Sequence, residues 1–237
     1  MKKIILSIIT VTSILSCKQE TPIKKLVQPY FTVVASAETE AVTSNDDAAD
    51  DACVWVNPKD ALQSTIIGTN KREGLEVYNL DGKRLYSYPI GRVNNVDIRD
   101  GFVLNNEEVS VITASNRTHN SISVLIVKPT GELQEIASRP IISKMKEVYG
   151  LAMYKSKKNN AIYVFMVSKE GEVEQWELFE NNAKIDAKLV REFALDSQGE
   201  GIVADDYHGK VYIGEEDNVL WKFNACLLYT SPSPRDA

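Results

Sequence analysis

The sequence predicts an all-β fold: a β-propeller of four-stranded blades, with about four blades in its 237 residues. Two spacing series and one absence predict it. Short apolar strands end in Lys71, Arg117, Lys169 and Glu216, at intervals of 46, 52 and 47. The stretches read TNKREGLEVYNL, ASNRTHNSISVLIV, VSKEGEVEQWEL and GEEDNVLWKF. A period near 50 with several strands per unit marks a propeller. A second series of short strands lies about 20 residues upstream: DDACVWV, NNVDIR, VYGLAMY and EGIVADD. Asp50, Asn95, Tyr149 and Glu200 open these, at intervals of 45, 54 and 51. The absence is of helix: nothing past the N-terminal segment shows a 3.6-residue apolar period.

Each unit reads as four strands, and the last lacks its outer one. The first unit is Ala52–Val56, Thr65–Thr69, Leu75–Leu80 and Arg84–Tyr88. Its last two strands are joined through Asp81-Gly82, a strong hairpin signal. Gly131, Gly171 and Gly209 mark comparable turns. Trp55, Trp176 and Trp221 fall in strands and are expected in the core.

The N-terminus reads as a targeting segment. Lys2 and Lys3 precede an apolar stretch, Ile4 to Ser16, too short to span a membrane as a helix. Ile14-Leu15-Ser16-Cys17 resembles a bacterial lipobox. The expectation is a lipoprotein signal over 1–17 with Cys17 as the lipid attachment site. A tether over 18–27 and a partial propeller over 28–225 follow. Such a chain would be exported and held at the bacterial cell envelope, at the outer membrane or cell surface. Residues 226–237, with two prolines two apart, cannot continue a central strand. They resemble translated adapter DNA and are expected to be a non-native tail.

Formal charge is −6, and removal of Lys2 and Lys3 brings it to −8. An acidic protein of this kind is no general nucleic-acid binder. Three cysteines, Cys17, Cys53 and Cys226, give no disulfide framework. Only His119 and His208 occur, both in polar turns. That excludes a histidine phosphatase and leaves little for an iron or zinc centre, and no Cys-x5-Arg loop is present.

In a propeller, equivalent loops lie on one face. Lys71 with Arg72, Arg117 and Lys169 would then converge with Asp50, Asp51, Glu170, Glu200, Glu215 and Glu216. Hard carboxylate oxygens suit Ca²⁺. Lysine and arginine donate charge-assisted hydrogen bonds to phosphate. Phosphoryl transfer needs positioning and charge neutralisation more than covalent help. The acidic pairs Asp46-Asp47 and Asp205-Asp206 read as solvated faces outside the site.

At these residues the sequence resembles the β-propeller phytase family, from about Phe31 to Phe223. The carrying motifs are FTVVASAETEAV, DAADDA, TNKREGLEVY, NNVDIR, ASNR, EVYG, KEGEVEQ, GEGIVADD and YIGEED. The resemblance implies a six-bladed propeller and calcium-dependent removal of phosphates from phytate (myo-inositol hexakisphosphate) or other inositol phosphates. It implies several Ca²⁺ ions, with Asp50 and Asp51 as ligands and the Val96 carbonyl serving a structural ion. Glu200 and Glu216 resemble ligands of the catalytic cluster, with the Tyr149 hydroxyl beside them. Lys71, Arg117 and Lys169 resemble phosphate-binding residues, with Arg72 and Glu170 as neighbours. Two departures stand out. Asp50-Asp51-Ala52-Cys53 replaces a usual Asp-Asp-Pro-Ala, and the family's later blades are absent. The complete parent is therefore expected to be a monomeric calcium-dependent enzyme, and this chain a fragment with little activity. The alternative is a non-catalytic propeller that binds phosphorylated ligands or protein partners.

Overall fold

The computed structural model describes residues 32–35 and 37–226. The chain divides into two compact units, Met1–Ala35 and Ser36–Ala237. In the first, only Thr32–Ala35 are described, and they lie in no strand. The lipobox, tether and most of the proline-rich tail lie outside the described residues.

The second unit is built of four antiparallel sheets arranged as propeller blades. Blade I is β1 (Ala49–Trp55), β2 (Thr65–Asn70), β3 (Gly74–Asn79) and β4 (Arg84–Tyr88). Blade II is β5 (Val93–Leu104), β6 (Glu107–Asn116), β7 (Ser121–Val127) and β8 (Leu133–Glu135), with β9 (Ile141–Ile142) also pairing to β7. Blade III is β10 (Val148–Lys155), β11 (Ile162–Ser168), β12 (Glu172–Asn181) and β13 (Lys184–Ala194). Among the described residues blade IV has three strands, β14 (Gly199–Asp205), β15 (Lys210–Glu215) and β16 (Leu220–Asn224). The only helix among the described residues is one 3-10 turn, Ala61–Gln63. Strand boundaries agree with the sequence reading within a few residues; β1 starts three residues earlier than expected.

Residues on both faces of the middle strands of blades II and III are apolar, because each of these two blades is covered by a neighbour on each side. In β11, Ile162, Val164 and Met166 face the core shared with blade II. Tyr163, Phe165 and Val167, one step out of phase, face the core shared with blade IV. A third core joins Trp55, Ile67 and Val77 of blade I to Val93, Val96 and Ile112 of blade II. Trp55 and Trp176 are buried as expected, and Trp221 is half-buried.

The glycine turns need one correction. All four glycines lie in turns, as expected, with φ between 63° and 83°. They are not equivalent, however. Gly82 and Gly131 join third to fourth strands, Gly171 a second to a third, and Gly209 a first to a second. The dipeptide signal reports a backbone conformation, not a place in the repeat.

Candidate active site

The first strand of each blade carries the same irregularity. Its register with the second strand shifts between Ala49 and Ala52, Val93 and Val96, Val148 and Leu151, and Gly199 and Ile202. Those four bulges hold Asp50-Asp51, Asn94-Asn95, Tyr149-Gly150 and Glu200-Gly201. A bulge leaves a residue unpaired and re-aims its side chain, and bulges gather next to active sites. The upstream sequence series is thus a series of bulges on first strands that pack side by side. Gly150 is required there: a Cβ would lie 2.2 Å from the Glu200 carbonyl oxygen.

The downstream series is equally regular. Each member is the first residue after a blade's second strand. Its N–H donates to the carbonyl of a residue just before the first strand. The pairs are Lys71 to Ala48 (2.8 Å), Arg117 to Arg92 (2.7 Å), Lys169 to Glu147 (3.4 Å) and Glu216 to Gln198 (2.9 Å). The residue before each is buried, and its side chain ties the turn. Asn70 accepts from Arg72, Asn116 from Thr118, and Ser168 from Glu170. Glu215 plays this part in blade IV, accepting from the Ser197 N–H and the Trp221 indole. The Trp221 bond holds its carboxyl below the ordinary glutamate range. It braces the turn rather than joining the acidic set.

Bulges and strand ends meet. Asp50 pairs with Lys71 at 3.2 Å. Burial raises its proton affinity, Lys71 opposes this, and Glu200 and Asp47 add to it. The Tyr149 hydroxyl is pushed well above the ordinary tyrosine range, first by burial, then by Glu200, Glu216 and Asp50. It is protonated at neutral pH. Arg117 and Lys169 lie 5.6 and 5.2 Å from the centre of the Tyr149 ring. Glu216 accepts from the Gln198 amide at 2.6 Å. Asp51 is fully engaged: its carboxylate accepts from the Asn95 amide and the Val96 N–H, both at 3.0 Å. This places Asp51 beside the Val96 N–H. Arg72 and Glu170 stand on the exposed rim, within 4.0 Å of Asp46 and 2.8 Å of Lys146.

Three residues escaped the sequence reading. Asp47, placed outside the site, sits on Lys71 at 2.7 Å. Glu147 bridges Arg117 (2.5 Å) and Lys169 (3.4 Å) through one oxygen. Asn94, wholly buried, donates to Asn95 at 2.9 Å and to Glu200 at 3.3 Å. Asp205 and Asp206 stay outside, as expected; Asp205 holds His208 in an exposed turn.

The acidic group suits a hard cation in donor chemistry. Asp50, Glu200 and Glu216 offer only oxygens around a protonated phenol. The Asn94 amide oxygen beside Glu200 is buried with no partner among the described residues. Among the described residues, no three His, Cys, Asp or Glu side chains gather tightly enough to form a metal shell by themselves.

Comparisons with known proteins point the same way. A family model described as Phytase matches residues 2–228. The 3-phytase of Bacillus subtilis (strain 168) is 46% identical over 202 residues, covering 83% of this chain and 53% of that protein. The chain therefore spans about half the length of that relative. A crystal structure of a functionally unknown protein from Desulfotomaculum acetoxidans DSM 771 superimposes with a TM-score of 0.55. It is 14% identical and covers 78% of this chain and 54% of that one. At that identity the likeness concerns the fold alone.

Proposed function

The chain belongs to the phytase family, and on that footing we propose that its site hydrolyses phosphate monoesters of phytate in a calcium-dependent reaction. One observation supports this above the others. Four equivalent bulges and four equivalent strand ends assemble an acidic group, Asp50, Glu200 and Glu216, around Tyr149, with Lys71, Arg117 and Lys169 beside it.

The division of labour follows from charge. Lys71, Arg117 and Lys169 bind and orient a phosphate, their donors aimed at its equatorial oxygens. The protonated Tyr149 hydroxyl donates its proton to a hydrogen bond with Glu200, which orients the carboxylate and leaves the phenolic oxygen's lone pairs free. Asn94 holds Glu200 from the other side. Asp50, Glu200, Glu216 and the Tyr149 hydroxyl would hold calcium, with Asp51 and the Val96 carbonyl serving a structural ion. Calcium, when bound, supplies charge neutralisation and a polarised water.

The test is phosphate release from phytate by the full-length protein of which this chain is expected to be a part, in calcium and in excess chelator. Chelator should abolish release. Lys71→Ala should reduce it about a hundredfold, and Lys128→Ala, in the β7–β8 turn and paired with Glu132, should not. Release that persists in chelator would overturn the metal dependence. Phytate binding without any release would favour a non-catalytic binding propeller.

A further inference from the structure

The link that leads into the Tyr149 bulge is long, and blade II holds its second half. A backbone bond closes each seam between neighbouring blades near the strand ends. Gly91 donates to the Glu73 carbonyl at 3.0 Å, Ser143 to that of Asn120 at 2.9 Å, and Leu195 to that of Gly171 at 2.9 Å. The bulge begins three residues past the donor in blade II (Gly91 to Asn94), five in blade IV (Leu195 to Glu200) and six in blade III (Ser143 to Tyr149). The first half of this longest link is tied to its own blade. Glu174, buried in β12, accepts from the Ser143 hydroxyl at 2.8 Å and the Lys144 N–H at 2.9 Å. The second half is tied across the seam. The Asn120 amide oxygen accepts the Val148 N–H at 3.0 Å, and its nitrogen donates to the Met145 carbonyl at 2.6 Å. The buried Ser115 hydroxyl donates to the Tyr149 carbonyl at 2.6 Å and accepts the Asn95 N–H at 3.0 Å.

We infer that Asn120 is a positioning residue for Tyr149: with Ser115 it clamps segment 145–149 to the strand end that carries Arg117, so that blade II sets where the blade III phenol stands. The inference rests on the reading of Tyr149, Glu200 and Glu216 as a calcium-binding group. The strand ladder does not fix Tyr149, because Val148 pairs with Ser168 and Leu151 with Met166, and Tyr149 lies between them in the bulge. The other bulges are held from within their own blades. The Asp51 N–H donates to the Thr69 hydroxyl at 2.9 Å, and the Asn95 N–H to that of Ser115. Thr69 and Ser115 stand two residues before Lys71 and Arg117. At the matching place blade III has Val167, whose side chain makes no hydrogen bond. The Tyr149 bulge therefore takes its bond from Ser115, and the link before it from Asn120. Asn120 suits this place. Its φ of 49° is in the left-handed region, which asparagine adopts more readily than most residues. One amide answers both a donor and an acceptor of the link, which fixes its direction and register together. Lys71, Arg117 and Lys169 keep their own backbone ties when the clamp is lost. The phenol and the Glu200 carboxylate that it orients do not.

The experiment uses the full-length protein, well below its melting range. Asn120→Gly keeps the left-handed backbone and removes both side-chain bonds. Calcium affinity, read by calorimetry without substrate, should fall about tenfold. Turnover of phytate should lose about tenfold in kcat, with KM changed by less than about threefold. Asn120→Asp keeps the acceptor for Val148 and loses the donor to Met145, and it should fall between the native protein and Asn120→Gly. Arg139→Met is the stability control. It removes an ion pair to Asp186 and a bond to the Ala187 carbonyl, both at 2.8 Å, on the outer strand of blade III. It should lower the melting temperature by a few degrees and leave calcium affinity and kcat as they were. An Asn120→Gly protein that only melts lower, as Arg139→Met does, would overturn the inference. So would an Arg139→Met protein that loses calcium affinity by the same factor as Asn120→Gly. If the native protein binds calcium and turns over phytate while Asn120→Gly matches it in both, this inference alone falls. If the native protein does neither, the calcium-site reading falls and takes the inference with it.

Discussion

The first strands carry two charged clusters of similar composition, one at their starts and one towards their ends. At the starts lie Asp50, Tyr149 and Glu200. Towards the ends, Asp97 and Arg99 of β5 meet Asp206, which follows β14. The far cluster is closed. Asp97 accepts from Arg99 (2.9 Å), the Ile98 N–H (2.7 Å) and the Met153 N–H (2.7 Å). Arg99 also donates to Asp206 (2.8 Å) and to the Met153 carbonyl, and Asp206 accepts the Lys155 N–H at 3.0 Å. Nearly every bond is to backbone or an opposite charge, and the cluster staples blades II, III and IV. The near cluster is open. Its carboxylates face one another, and among the described residues Asn94 has an unmet oxygen and Arg117 an unmet donor. The same residue types thus make a staple where satisfied and a site where not. Composition does not separate the two, but satisfaction of hydrogen bonds does.

Arg99→Met should give the largest effect and mark the far cluster as structural. It strands Asp97 and Asp206 without their cation. Breaking such a pair costs about 3–5 kcal/mol, a fall of roughly 10 °C in melting temperature. Affinity for the hexakisphosphate, measured well below the melting range, should be unchanged. Affinity that falls while stability holds would erase the distinction between the clusters. Glu200→Gln is the converse. It should reduce phosphate release about a hundredfold and leave the melting temperature level or higher, since it removes like-charge crowding around Tyr149. A loss of stability comparable to that of Arg99→Met would show that Glu200 is a staple too.

What was legible in the chain was what repeats. Asp50, Asn95, Tyr149 and Glu200 occupy the same bulge in successive blades, and Lys71, Arg117, Lys169 and Glu216 the same strand end. A fixed period exposes such positions even though no single motif does. That blade IV has three strands among the described residues was legible in the same way, from the alternating stretch that ends at Asn224. Two of the residues that joined the site unannounced, Asp47 and Glu147, have no like residue at the matching places of the other blades. Asp47 belongs to an exposed acidic run that reads as solvated, and its bond to Lys71 spans 24 residues. Glu147 acts between two blades, on Arg117 thirty residues earlier. Asn94, rather than the Asn95 of the sequence series, takes the first place of the blade II bulge, the place of Asp50, Tyr149 and Glu200, and its partner Glu200 is 106 positions away. Pairing across blades depends on which side chain a bulge turns inward, and the spacing carries no record of it. Glu215 erred in the other direction. Its place next to Glu216 suggested a ligand, whereas its equivalents are Asn70, Asn116 and Ser168, the residues that tie the turns.

Asp50 offers the smallest and most diagnostic test, because it belongs to the open cluster yet has a cation partner. Its folded proton affinity is raised, burial and the nearby Glu200 and Asp47 outweighing Lys71. The folded protein therefore holds this proton more tightly than the unfolded chain. Below the ordinary value of 3.8 the group is protonated in both states and costs nothing. As the pH rises through the elevated folded value, ionisation sets in and stability is lost. Asp50→Asn removes that cost. The variant should melt about 2 °C higher than the native chain at pH 7, an increment kept small by solvent screening. The gain should shrink as the pH is lowered towards the ordinary aspartate range. Thermal melts of both proteins between pH 7 and pH 4.5 would show it. A variant less stable at pH 7 would mean that the Lys71 pair dominates, which would make Asp50 a closed contact like those at the far ends of the strands.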